Sequence, residues 1–165
     1  MHALEAIRKR RSVRAYTGQP IPRQDIETII DAGRLAATGG NQQPWEFVVV
    51  TDRAMIDKLK IAAAWMDKAG AIIAVVMDSS SRWWIEDASA AIENILIAST
   101  ALGYGSCWLE GWTLPREDEF RKLLGIPEAR RLLTLIPIGV PVEWPTGKSK
   151  KALAEVLYWE RYGGK

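Results

Sequence analysis

The stretch RKRRSVRAYTG, from Arg8 to Gly18, gathers five cations (Arg8, Lys9, Arg10, Arg11 and Arg14) around one hydroxyl, that of Ser12. If residues 10–14 are extended, Arg10, Ser12 and Arg14 project to one side, because strand side chains alternate. Two guanidinium forks flanking a hydroxyl suit a phosphate dianion, each charge-assisted hydrogen bond contributing about 1.5–3 kcal/mol. The same residues also suit a solvated basic arm or a nucleic-acid contact, and residue type alone leaves these open. The formal net charge is only +2, so the positive charge is local and asks for a local anion.

Other chemistries find little material. Cys107 is the sole cysteine and His2 the sole histidine, which removes an intrachain disulfide, most Cys/His metal sites and a histidine-based triad. GYGSCW resembles a dinucleotide fingerprint, but Trp108 stands in the third glycine slot and the glycines end a helix instead of opening one. Glu86 and Asp87 open the long helix, where its dipole favours carboxylates, and Glu93 lies mid-helix beside Asn94. Eight tryptophans supply core and, in part, flat apolar walls for a planar ligand or a partner chain. The longest apolar run, AGAIIAVVM, is about half of the roughly 20 residues that span a bilayer, and the charged start does not read as a secretory signal. A cytoplasmic location is the expectation.

The elements that must position these residues follow from spacing and breakers. At 165 residues, 48% apolar and 25% charged, the chain fits one domain spanning 1–165. Helical spacing in ALEAIRKR breaks in SVRAYTGQPIP, where two prolines and Gly18 bar a helix. Ile26, Ile29, Ile30, Gly33 and Ala37 predict a helix over Asp25–Ala37, followed by the loop TGGNQQP. WEFVVVTD reads as a strand, RAMIDKLKIAAAW as a helix and AGAIIAVVMD as a fully buried strand. IEDASAAIENILIASTALG is a helix capped by Gly103, whose small residues suit close packing against another helix. A short strand GSCWL, a turn EGW, a helix over Arg116–Leu124 and a strand RLLTLIPIGVP complete an interleaved sheet covered by helices. The tail ALAEVLYWERY is compatible with helix or strand.

Taken in order, RRSVRAY, TGGNQQPWEFVVV, the alanine-rich helix ending ALGYGSCWLEG, and IPIGVP before a basic segment resemble the nitroreductase family of FMN-dependent oxidoreductases. The resemblance covers nearly the whole chain. It implies an α+β fold with a central, mostly antiparallel sheet and helices on both faces. It also implies an intertwined homodimer with two FMN sites at the interface and a C-terminal segment reaching the partner's sheet, largely extended. Arg10, Arg11 and Ser12 would belong to the phosphate and ribityl site, with Lys148 and Lys150 closing on the same phosphate. Arg14 would approach the N1/O2 edge of the flavin, and the amides of Glu110 and Gly111 its N5 and O4. Thr38, Gly39, Gly40 and Asn41 match the loop that the other subunit contributes. The implied reaction is ping-pong: NAD(P)H gives hydride to the flavin, leaves, and a nitroaromatic, quinone or similar planar acceptor replaces it.

The chain also departs from the family pattern. SSSRWW alone separates Asp78 from Ile85, where many members carry an excursion over the flavin, so an open site roofed by Trp83, Trp84 or Trp65 is expected. Lys150 stands where an arginine is common, without the bidentate fork. Two other functions stay in view: a specialised flavoprotein of the same fold (a dehalogenase, a flavin-cleaving enzyme or a metabolite dehydrogenase), and a basic nucleic-acid-binding module.

Overall fold

The computed structural model describes residues 1–147 and 149–164; Lys148, expected at the phosphate, lies outside the described residues. The centre is β2 (Ala71–Met77), buried along its whole length. This run has no polar face because both faces are covered. Ile72, Ala74 and Val76 enter one core cluster, while Ala71, Ile73, Val75 and Met77 enter the other. β1 (Trp45–Val50) and β4 (Arg131–Gly139) flank β2, and β3 (Gly105–Ser106) extends the sheet beyond β4, in the order β1-β2-β4-β3. Every strand pair is antiparallel.

Helices cover both faces, as expected of an α+β fold. α3 (Arg53–Leu59) brings Ile56 and Leu59 to the first cluster, and α6 (Glu117–Leu124) brings Phe120. α2 (Arg23–Arg34) brings Ile26 and Ile29 to the second, beside Ala88, Ile92 and Ile95 of α4 (Trp84–Ala101). α1 (Ala3–Lys9) lies along α4. The small-residue surface of α4 is used within the chain: a Cβ at Gly33 of α2 would fall 2.8 Å from Ile95 Cγ1. α4 ends as the sequence predicts. Gly103 takes φ +89°, its N–H donates to Thr100 O, and the Tyr104 N–H donates to Ser99 O.

The boundaries differ where tertiary demands override local spacing. α2 stops at Arg34 instead of Ala37; the Leu35 N–H is shared between Asp31 O and Gly33 O, and Thr38 is already extended. α3 stops at Leu59, and Trp65 sits in a separate 3-10 helix, Ala64–Lys68, which turns Met66 and Ala69 into the core before β2. EGW opens the short helix α5 (Glu110–Thr113). The tail is not extended throughout: Leu153–Val156 forms one helical turn, α7, with the Ala152 N–H donated to Glu155 Oε1 at 2.6 Å. That local bond competes with extension in a segment whose side chains are largely exposed in the single chain.

Glu117 ties α6 to the start of β4. Its carboxylate accepts from Arg131 Nε at 2.7 Å, Arg131 Nη2 at 2.8 Å and the Leu132 N–H at 3.0 Å. Arg131 foremost, then the Leu132 amide, holds this carboxyl below its ordinary value of 4.5 against the opposing effect of burial. A carboxyl depressed by folding stabilises at pH above its unfolded value and loses that contribution as pH falls through the folded value. Glu117→Gln should therefore cost about 1–2 kcal/mol in urea unfolding at pH 7. The gap to wild type should close when the titration is repeated at progressively lower pH, below 4.5.

Candidate functional site

The basic stretch is placed by backbone pairing on two sides. Ser12 bridges Ser106 of β3 in parallel, and the Val13 N–H donates to Ser106 O at 3.0 Å. Four residues on, Tyr16 bridges Pro141; the Thr17 N–H donates to Val140 O at 2.9 Å and the Val142 N–H to Ala15 O at 3.1 Å. Residues 12–17 thus run between β3 and the chain leaving β4. Val13 and Tyr16 turn into the core, leaving Ser12 and Arg14 exposed. The alternation read from the sequence places Arg10, Ser12 and Arg14 in one cleft of about 750 Å³.

The far end of the chain forms the opposite wall. Pro145, Thr146, Gly147 and Lys150 line the same cleft. The Arg11 guanidinium occupies the place a Cβ of Gly147 would take, so no larger residue fits there without moving it. Arg11 is already engaged, its Nη1 donating to Arg8 O and Arg10 O, each at 2.8 Å. That closes the C-terminal end of α1, where a cation is favoured. Arg10 Nε meets Glu93 Oε1 of α4 at 3.2 Å. This pair is partly solvated and adds little stability, yet it aims Arg10 into the cleft. The sequence left Glu93 without this role, because nothing in the pattern shows that α1 crosses α4 at that turn.

Trp65 is the candidate roof that lies beside the cleft. The Arg14 guanidinium carbon stands 6.0 Å from its ring centre, and Tyr16 packs on it at 6.4 Å. Trp84 instead lies against Arg131, and Trp83 against Arg82. Beneath the cleft, burial first and Cys107 second hold the Tyr16 phenol far above its ordinary value, and its hydroxyl lies 2.8 Å from Val13 O. Burial also raises the Cys107 thiol, against the pull of Arg14, Ser12 and Arg10. Both stay protonated near neutrality, so neither supplies a base or nucleophile. No group of three or more His, Cys, Asp or Glu among the described residues could hold a metal.

The other expected site residues lie outside this cleft. Glu110 and Gly111 begin α5, just beyond β3, where the Trp108 Nε1–H donates to Glu110 Oε2 at 3.0 Å. Thr38, Gly39, Gly40 and Asn41 form a loop around the 3-10 helix Gly39–Asn41, packed at the N-terminal end of α4 against Trp83. Asp87, read from sequence as a dipole-serving carboxylate, accepts the Gly39 N–H at 3.0 Å. Only spatial proximity reveals that bond, since 48 residues separate the partners.

The pairing of residues 12–17 with β3 depends on Gly105. A Cβ there would fall 2.6 Å from Val13 Cβ and 2.6–2.7 Å from its methyl groups. Gly105→Ala should cost about 1–3 kcal/mol in denaturant unfolding. Gly111→Ala, with nothing within 4 Å of the new Cβ, should be neutral or slightly stabilising.

Comparison with known proteins places this arrangement. The model of the "Nitroreductase family" matches residues 7–65 and 57–140. A protein of Archaeoglobus fulgidus named "Putative NADH dehydrogenase/NAD(P)H nitroreductase" is 42% identical over 149 residues, 84% of each chain. A crystal structure under the same name from Bacteroides thetaiotaomicron superimposes with a TM-score of 0.88 at 35% identity, covering 96% of this chain and 98% of that one. The crystal structure titled as a nitroreductase with bound FMN, from Bacteroides fragilis, gives 0.81 at 26% identity, covering 95% and 97%. With the family model matching most of its residues and a relative 42% identical over 84% of each chain, the chain belongs to the nitroreductase family.

Proposed function

We propose that this chain is an FMN-dependent NAD(P)H oxidoreductase, one FMN-binding domain that works as a homodimer and reduces nitroaromatic, quinone or similar planar acceptors. One observation carries the reading: cations and a hydroxyl from opposite ends of the chain line a single cleft. Its 750 Å³ lies within the range of about 300–1,000 Å³ typical of cofactor sites. A guanidinium, an ammonium and a hydroxyl, beside a phenol and thiol kept protonated, fit an anionic group that brings its own chemistry. The Bacteroides fragilis relative, titled with bound FMN, supports the choice of that group.

Bound FMN would take a hydride from NAD(P)H and pass it to the acceptor. The chain's own residues bind and orient. Arg10, Ser12 and Lys150 would hold the phosphate, and Arg11 sets the wall against Gly147; Lys148, outside the described residues, is proposed for the same phosphate. Arg14, exposed beside Trp65, would offer a positive charge to the negative charge that reduction adds to the flavin. The amides of Glu110 and Gly111, in the first turn of α5, have no intrahelical acceptor and would be free to donate to the flavin. Thr38–Asn41 complete the site from the partner subunit. The nucleic-acid reading loses support because Arg10 and Arg11 fold back onto Glu93 and onto backbone carbonyls.

The apolar surface supports the homodimer. Leu4 and Ile7 on α1 and Leu153, Val156, Leu157, Tyr158 and Trp159 in the tail are all exposed in the single chain. β1 has an open edge, and a groove between it and α2 is lined by Ile21, Ile26, Ile30 and Val49. A second copy that lays its tail on this edge would cover both.

Three results test the reading. The purified protein should be yellow and should bleach anaerobically with NADH or NADPH; a colourless protein that takes up no FMN contradicts it. Arg14→Ala should leave FMN bound and lower its potential by about 30–60 mV, the equivalent of one charge-assisted hydrogen bond of about 1.5–3 kcal/mol. Deleting the chain from Leu153 onward should shift sedimentation toward the monomer and release flavin.

A further inference from the structure

Asp87 lies in the first turns of α4 and is only 4% exposed, whereas its neighbour Glu86 is exposed and already serves the helix dipole. Its Oδ1 accepts the Gly39 N–H at 3.0 Å. Its Oδ2 is buried with no hydrogen-bond partner among the described residues. A carboxylate is costly to bury, and one amide offsets only part of that cost. Helix capping does not account for it, because the side chain points its bond across to another segment.

The segment at the other end of the bond is held in an unfavourable shape. Gly40 takes φ +60°, Asn41 +56° and Gln43 +49°, and the last two are not glycine. The loop's internal bonds, Gln43 N–H to Thr38 Oγ1, Asn41 N–H to Thr38 O and Gln42 N–H to Gly39 O, move with it and do not fix it to the frame. Two contacts at Gly39 do fix it. The Trp83 ring fills the place a Cβ would take, and Asp87 holds the amide. Steric wedge and charge-assisted bond act on the same peptide from the same helix end.

We infer that Asp87 is a positioning residue: through the Gly39 amide it locks the Thr38–Asn41 loop in the shape that the partner subunit's flavin site requires. The inference rests on the FMN-dimer reading above. Asp87 itself touches no reactant; it acts through the loop. Its burial is then the cost of a fixed loop orientation, carried by a helix that both core and sheet hold rigid.

The test uses the full-length protein with and without FMN, and two kinds of substitution. Asp87→Leu keeps the branched four-atom skeleton with bulkier methyl groups and removes the acceptor, and replacing a buried charge by an apolar residue is often tolerated; Asp87→Ala removes the acceptor without adding bulk and should loosen the loop alike. Asp87→Asn keeps an acceptor for Gly39 and exchanges one unpartnered polar atom for another; Asp87→Ala serves if leucine does not fold. In the flavin-free protein, amide hydrogen exchange at Gly39–Asn41 should rise about 10-fold or more in Asp87→Leu, as expected for the loss of one charge-assisted bond. It should stay within about 3-fold of wild type in Asp87→Asn. FMN affinity, read by fluorescence quenching, should fall in parallel by about 10-fold or more for leucine and recover with asparagine. Unchanged loop exchange in Asp87→Leu overturns the inference, as does an asparagine variant as loose as leucine. Faster exchange with FMN affinity intact also overturns it, since the loop would then be held but not for the flavin. Wild-type protein that binds no FMN sinks the parent reading and this one with it, and that failure is visible before any substitution is made.

Discussion

The pairing of residues 12–17 with β3 on one side and with the exit of β4 on the other is the constraint on which the site depends. It converts a basic arm that would be mobile in isolation into an extended segment with a defined inner and outer face. Val13 and Tyr16 anchor the inner face, buried to 1% and 2% exposure. With Val13 fixed inward between them, Ser12 and Arg14 face out, and the alternation breaks at Ala15, where Tyr16 turns back to the core. The same pairing brings residues 140–142 alongside, so the segment carrying Thr146, Gly147 and Lys150 reaches the cleft from the opposite end of the chain. Two stretches more than 130 residues apart thereby line one cleft.

Much of this was legible in the sequence. AGAIIAVVMD reads as a fully buried strand, and the two clusters that share its side chains bear that out. Alternation in RRSVR anticipated that Arg10, Ser12 and Arg14 line one cleft, and the order of the quoted motifs carried the family and its fold. What escaped reading was set by tertiary packing. RAMIDKLKIAAAW has helical propensity throughout, yet the core needs Met66 and Ala69 before β2, so the chain breaks after Leu59. The tail pattern cannot decide between helix and strand because its apolar residues follow neither period cleanly, and most of them stay exposed in the single chain. Glu93 and Asp87 were each explicable locally as helix residues. Their actual partners, Arg10 and Gly39, are distant in sequence and visible only once α4 is placed.

α4 connects these observations. Its core-facing side packs on α2 and the sheet; one turn carries Glu93 to the basic cleft, and its first turns carry Trp83 and Asp87 to the Thr38–Asn41 loop. A single helix therefore contacts both the cleft and the Thr38–Asn41 loop, which lies outside it. In the proposed homodimer, two-fold symmetry would let the loop of one copy serve the cleft of the other. The SSSRWW link between Asp78 and Ile85 is short, and Trp65 lies beside Arg14 at the margin of the cleft.

The central claim is that the cations and hydroxyl of this cleft grip a phosphate. Equilibrium titration of the flavin-free protein with FMN and with riboflavin, which share the ring and ribityl chain and differ by that phosphate, tests it directly. At least two charge-assisted hydrogen bonds should make FMN bind about 100-fold or more tightly than riboflavin. Equal affinities for the two would contradict the account.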